Sequence, residues 1–184
     1  HSETLASASR LADICDDMGQ YTKAKELKLA VFEAQKRVLG PQHPSCLATG
    51  NNLANTLLML GELEAAESLA REMVQGHLRA YGADHMDSLI TQSTLAEILL
   101  TRGEIGQCLE ILGNIVPRLK KSYGAGNRVT LYILTTQADA KSQLSLHHDA
   151  LDELQKIQRS QSGLHGDEHS DTLRNASTHG AALV

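Results

Sequence analysis

The chain has 184 residues and a net charge of −5 at neutral pH, with one Phe, four Tyr and no Trp. That length allows a real hydrophobic core, and the mild acidic balance, without Lys/Arg clusters interleaved with aromatics, excludes a general nucleic-acid binder. No stretch nears the roughly 18 apolar residues that span a bilayer, and three cysteines (Cys15, Cys46, Cys108) with no CxxC pair point to a reducing, cytoplasmic setting without a disulfide framework.

A 42-residue period runs through the whole sequence. His1, His43, His85, Asn127 and His169 stand in register, followed four residues on by Leu5, Leu47, Leu89, Leu131 and Leu173. Seven residues further come Ala12, Ala54, Ala96 and Ala138, with Gly180 in the fifth place. A fixed period of this length marks a stacked repeat, in which each unit buries its apolar face only against its neighbours. The expectation is one array over 1–184, with copies at 1–42, 43–84, 85–126 and 127–168 and a partial fifth at 169–184. A chain that starts at His1 and stops inside a repeat reads as an excerpt of a longer protein.

In chain order, each copy predicts two antiparallel helices, A and B, of about 16 to 18 residues, giving an all-α fold of about nine helices. The first copy places Ala12 on A and Ala24 on B, with Gly19 at the turn and Cys15 in a slot that is Leu57 and Leu99 later on. The second is the cleanest. Ser45 can cap helix A, Leu47, Leu53, Ala54, Leu57, Leu58 and Leu60 follow at helical spacing, and Gly61 supplies a left-handed helix end. Its helix B carries Leu63, Ala66, Leu69, Ala70, Met73 and Val74 and fades at Tyr81-Gly82-Ala83-Asp84. Paired small residues such as Ala54 and Ala66 let the two backbones approach closely. In the third copy Cys108 takes the alanine slot as a small buried filler, and Gly113 and Pro117 inside helix B predict a kink or break. In the fourth, Gln137, Lys141 and Ser145 replace two apolar residues and the turn glycine, which predicts poorer packing. The fifth offers only a helix A from about Ser170, with Thr178, His179 and Gly180 where apolar residues belong.

The skeleton Leu53-Ala54, Leu57, Gly61, Ala66 resembles a tetratricopeptide repeat, whose usual period is about 34 residues. The longer form, with Leu39-Gly40-Pro41-Gln42-His43-Pro44 joining copies and Asn51-Asn52-Leu53-Ala54 in helix A, is similar to the repeats of kinesin light chains. The resemblance covers essentially the whole chain. It implies a right-handed α-solenoid of stacked antiparallel helix pairs, a concave face lined by A helices, and a role in binding protein segments. The other copies depart from the Asn-Asn-Leu-Ala string, reading Ser9-Arg10-Leu11-Ala12, Ser93-Thr94-Leu95-Ala96 and Thr135-Thr136-Gln137-Ala138. The coiled-coil heptads through which a kinesin light chain joins its motor are not in this sequence.

Catalytic chemistry finds little support. His165-Gly166-Asp167-Glu168-His169 matches the H-x-x-E-H pattern of inverted zinc proteases, but that chemistry needs a rigid helix, and the repeat already accounts for Gly166 and His169 as loop residues. His147-His148 reads as a solvated pair at a turn, and Asn175-Ala176-Ser177 as a chance sequon. There is no phosphate loop, nucleophile elbow or dinucleotide fingerprint. The expectation is a non-enzymatic chain with no cofactor and no metal site.

Helical geometry selects the residues that would face a partner. The residue after each alanine and the residue three before it lie one turn apart, away from the expected core. These are Asp13, Asn55, Glu97 and Asp139 in one row, and Ser9, Asn51, Ser93 and Thr135 in the other, flanked by Arg10, Asn52, Thr94 and Thr136. In the first copy, helix A sets Glu3, Asp13, Asp16 and Asp17 against Arg10, while helix B is net basic through Lys23, Lys25, Lys28, Lys36 and Arg37. The two faces can simply complement each other. Alternatively, an acidic polar groove accepts an extended, basic protein segment, with Asn side chains holding its backbone. The family's chaperone-binding members clamp a C-terminal carboxylate with Lys and Arg, which these acidic slots would repel. The favoured expectation is a scaffold or adaptor module that binds neither nucleic acid nor membrane; the alternative is a regulatory segment of a multidomain signalling NTPase. A spacer or self-association role is a third.

Overall fold

The computed structural model describes residues 2–144 and 153–159, with side chains from residue 5 onward. The described residues are helical, with no strand among them. Seven helices run in order: α1 (Ser2–Asp17), α2 (Tyr21–Val38), α3 (Pro44–Met59), α4 (Leu63–Tyr81), α5 (Met86–Thr101), α6 (Ile105–Tyr123) and α7 (Arg128–Gln143). Residues 153–159 form a further helical segment. His147-His148, Ser145, the H-x-x-E-H string, the Asn175 sequon and the expected fifth helix lie outside the described residues. The chain divides into two compact units, 1–102 and 103–184.

In the first unit, consecutive helices pack on one another, α1 on α2, α2 on α3, α3 on α4 and α4 on α5, with α3 also touching α5. This is the helix-pair stacking that the period predicts. The alanines fall where two backbones come close: Ala12, Ala24, Ala54 and Ala66 are fully buried. Leu47, Leu53, Leu57, Met73, Leu89, Ile98 and Leu99 fill the space between. Gly61 closes the α3–α4 turn at φ 73°, a backbone state that a side chain would strain. Two helix-interior glycines are there for closeness. A Cβ on Gly50 would run into the Met73 thioether, and one on Gly76 into a Leu47 methyl.

The period also fixes the helix starts, through a residue other than the one expected. His43, not Ser45, is the N-cap of α3: its Nδ1 accepts the Ser45 N–H at 3.2 Å, and Pro44 takes the first helical turn, where no N–H is needed. His85 does the same for α5, accepting from the Asp87 N–H at 3.3 Å. The fourth copy has Asn127, whose Oδ1 accepts from the Val129 N–H at 2.9 Å. Imidazole and carboxamide are interchangeable here because each offers one acceptor to the N–H two residues on. Sequence reasoning gave the cap of the second copy to Ser45 and assigned none to these residues.

The outer face of α1 differs from its counterparts. Leu11 and Ile14 are 51% and 53% exposed, whereas Leu53 and Ile98 at the same places of later copies are 3% and 0% exposed.

In the second unit, α6 packs on α7, and Ala138 of α7 meets Leu154 of the 153–159 segment in the core. Pro117 does not break α6, which is continuous from Ile105 to Tyr123. The expected break fails for a physical reason. The carbonyl that loses its partner belongs to Gly113, four residues back, and both Pro117 and Gly113 are exposed, so the gap lies on a face where water can take the place of the missing bond. Leu112, Ile115, Val116 and Leu119 anchor the opposite face. Lys141, which stands in an apolar slot, is accommodated by an ion pair to Glu153 at 2.8 Å.

Candidate functional site

The polar face of the first unit is built by α1, α2 and α3. On α1, Leu5, Ser9, Asp13 and Asp17 follow at intervals of four, which lines them along one ridge of the helix. Asp13 and Asp17 are exposed and Asp16 is half-buried. Opposite them Lys28 rises from α2 with its side chain only 5% exposed. A buried ammonium is stable only when paired and hydrogen-bonded. Lys28 is ion-paired to Asp16, lies 3.5 Å from an Asp13 carboxylate oxygen, and donates to the Thr56 hydroxyl at 3.2 Å. The Thr56 hydroxyl in turn lies 3.1 Å from Asp16 Oδ2 and 3.0 Å from the Asn52 carbonyl oxygen. Two carboxylates, those of Asp13 and Asp16, thus meet one buried ammonium, Asp17 lines the same concavity, and the group keeps a net negative charge. Its concavity, about 270 Å³, is lined by Asp13, Asp16, Asp17, Lys28, Asn52 and Asn55.

Further toward the start of α1 lies a larger cavity of about 450 Å³, walled by Leu5, Ala6, Val38, Leu39 and Ala48. Ser9 and Asn52 stand at its border with the acidic cluster. Gln35 lines it as well, is 7% exposed, and its Oε1 has no hydrogen-bond partner.

The predicted rows divide in the structure. Arg10, Asp13 and Asn52 are exposed, and Ser9 and Asn55 are half-buried, all in the first unit. Glu97, also in the first unit, and Asp139, in the second, are half-buried, and each is already engaged by polar or charged neighbours. The second row is not available to a partner, contrary to the expectation. Asn51, Ser93 and Thr135 are buried, as are Thr94 and Thr136. The Ser93 hydroxyl donates to the Ile90 carbonyl at 2.8 Å and that of Thr135 to the Leu131 carbonyl at 3.1 Å. The buried arc is wider than a two-helix hairpin would make it, because α3 packs against α2, α4 and α5 at once. Only on α1 does this row come toward the surface, at Ser9.

Sequence reasoning also missed the burial of Lys28 and the cavity. A signal existed: Lys28, Ala70 and Leu112 share one register slot, as do Thr56 and Ile98, so a charge stands where the other copies are apolar. Gln35 shares a slot with His77 and Leu119, both buried.

No group of three or more His, Cys, Asp and Glu among the described residues is arranged to hold a metal ion. Cys15, Cys46 and Cys108 are free and buried. Burial pushes the Cys46 thiol up, with Glu72 and Glu33 adding to the shift and Lys36 opposing it, so the thiolate is disfavoured. No described helix is long and apolar enough to cross a membrane.

A family model of the tetratricopeptide repeat matches residues 3–76, and a second tetratricopeptide repeat model matches residues 90–114. The chain is a tetratricopeptide-repeat protein. Comparison with curated proteins found no match. Among solved structures, the tetratricopeptide-repeat chain is similar to nearly identical TPR-like repeats ascribed to a kinesin light chain of Podosopora anserina, with 24% identity and a TM-score of 0.79 over 100% of this chain and 87% of that one. A single-substitution variant of those repeats gives a TM-score of 0.80 at 24% identity, over 100% and 86% of the two chains. BtubC (BKLC) from P. vanneervenii gives 0.77 at 14% identity, over 96% and 70%. At these identities the likeness is one of fold, and it is the fold of kinesin-light-chain-type repeats. Tetratricopeptide repeats generally mediate protein–protein interaction and are typically non-catalytic.

Proposed function

We propose that this tetratricopeptide-repeat chain is a cytoplasmic scaffold or adaptor module that takes a basic protein segment against the A-helix face of its first unit. The observation that carries this reading is the pairing of Asp13 and Asp16 with one buried ammonium in a concavity that Asp17 also lines, open to solvent through Asp13 and Asp17. An arriving Lys or Arg completes the charge balance that Lys28 begins. Asn52 and Asn55, which line the same concavity, can donate to and accept from the backbone of an extended segment. Carboxylates at a partly exposed site mainly set partner choice and the rate of encounter, so binding should weaken steeply with salt. Glu97 extends the acidic character to a later copy of the same unit and plays a secondary part in this reading, and Asp139 is its counterpart in the second unit.

The test is fluorescence anisotropy of a labelled Arg-containing peptide against the intact chain, the Asp13→Asn/Asp17→Lys variant, and the chain at raised salt. The variant should lose most of the affinity. Unchanged affinity in the variant would sink the reading.

A further inference from the structure

Beside the acidic cluster, the 450 Å³ cavity combines apolar walls with a buried amide oxygen that has no partner. A buried acceptor left unsatisfied is costly, and native structures generally supply its donor. Val38 and Leu39 are 69% and 44% exposed on the cavity rim, an uncommon placement for two consecutive large apolar side chains. The apolar walls and the exposed rim call for one kind of visitor, an apolar side chain, seated beside the Gln35 carboxamide.

We propose, on the basis of the basic-segment reading above, that the same partner segment seats one apolar side chain in this cavity, four positions along its chain from the Lys or Arg held by Asp13 and Asp17. The spacing follows from geometry. On α1 the cavity spans Leu5 to Ser9 and the acidic cluster spans Asp13 to Asp17, so their centres are eight residues apart. At about 1.5 Å per helical residue that is about 12 Å. An extended strand covers about 13 Å in four residues, and residues four apart point to the same side. Ser9 and Asn52, at the border of both hollows, face the intervening backbone. The partner is thus an extended segment pairing an aliphatic residue with a cation at that interval, in either chain direction.

The experiment uses labelled peptides with Leu and Arg four positions apart in a Ser/Gly background, in both orders, against the intact chain. Controls carry Ala for Leu, or place Leu and Arg three positions apart. The better order should bind about tenfold more tightly than either control, which is the scale of one buried leucine. Ala48→Phe fills the cavity from an exposed wall and should abolish the preference for Leu while leaving the Ala control bound as before. If Leu and Ala peptides bind alike, or Ala48→Phe leaves the preference intact, this inference falls and the basic-segment reading stands. If no Arg peptide binds, both fall.

Discussion

The Lys28 ammonium on α2 lies 3.2 Å from the Thr56 hydroxyl on α3, and one repeat later the same two slots hold Ala70 and Ile98, both fully buried. A polar pair thus occupies a place that the period makes apolar. Two neighbouring changes in one register, one accommodating the other, argue for a feature kept for its charge. Lys28→Leu removes the partner of Asp16 and should cost about 1 to 3 kcal/mol, moderated because Asp16 can still reach water. Adding Asp16→Asn should recover most of that loss. Urea melts of the single and double variants measure it; a double variant no more stable than Lys28→Leu would show that the pair is not coupled.

The contrast between the first copy and later ones predicts a split in the cost of leucine truncation. Leu53→Ala, at a buried site, should destabilise by about 2 to 5 kcal/mol, whereas Leu11→Ala, half exposed in the same register, should cost under about 1 kcal/mol. Thermal denaturation of the two variants checks the order.

The cap at the head of α5 gives a substitution with two outcomes. His85→Ala leaves the Asp87 N–H without its acceptor and should cost about 0.5 to 2 kcal/mol. His85→Asn reproduces what Asn127 does at α7 and should be close to neutral. Equal losses for Ala and Asn would assign the role of His85 to its stacking on Tyr81, whose ring centroid is 4.6 Å away.

Glu67 links α4 to Arg102. Its carboxylate accepts from Arg71 Nε at 2.8 Å and is ion-paired to Arg102. The hydrogen bond from Arg71 holds its pKa below the ordinary glutamate value, against a smaller opposing push from burial, and Arg102 adds to the lowering. A carboxylate whose folded pKa is depressed contributes stability above its unfolded pKa of about 4.3 and loses it as pH falls through the folded value. Glu67→Gln should therefore be less stable than the parent at pH 7, by about 1 kcal/mol or less because both arginines reach solvent, and the gap should close as pH falls through the folded value. Melting temperatures at several pH values between 2 and 7 show whether the difference closes on the acid side.

The framework was legible because its causes are local and repeat every 42 residues. Ala54 and Ala66 marked the close approach of two helices, and Gly61 marked the turn. What stayed hidden depends on neighbours distant in sequence. Asn51, Ser93 and Thr135 have the polarity of surface residues, yet are buried because more than one helix packs on each A helix. Lys28 has the chemistry of a solvated lysine, and only the meeting of α1, α2 and α3 shows it enclosed. The break expected at Pro117 did not occur for the opposite reason: a local rule was overridden by where water can reach.

The caps at His43, His85 and Asn127 also bear on how such a chain changes over time. A block such as 43–84 carries its own start signal in its first residue and leaves its last loop with a left-handed glycine, Gly82. Unequal recombination between copies therefore inserts or deletes whole blocks without orphaning a helix terminus. The length of the array can drift freely, while a singular feature such as the Lys28 cluster stays confined to the junction of the two copies that encode it.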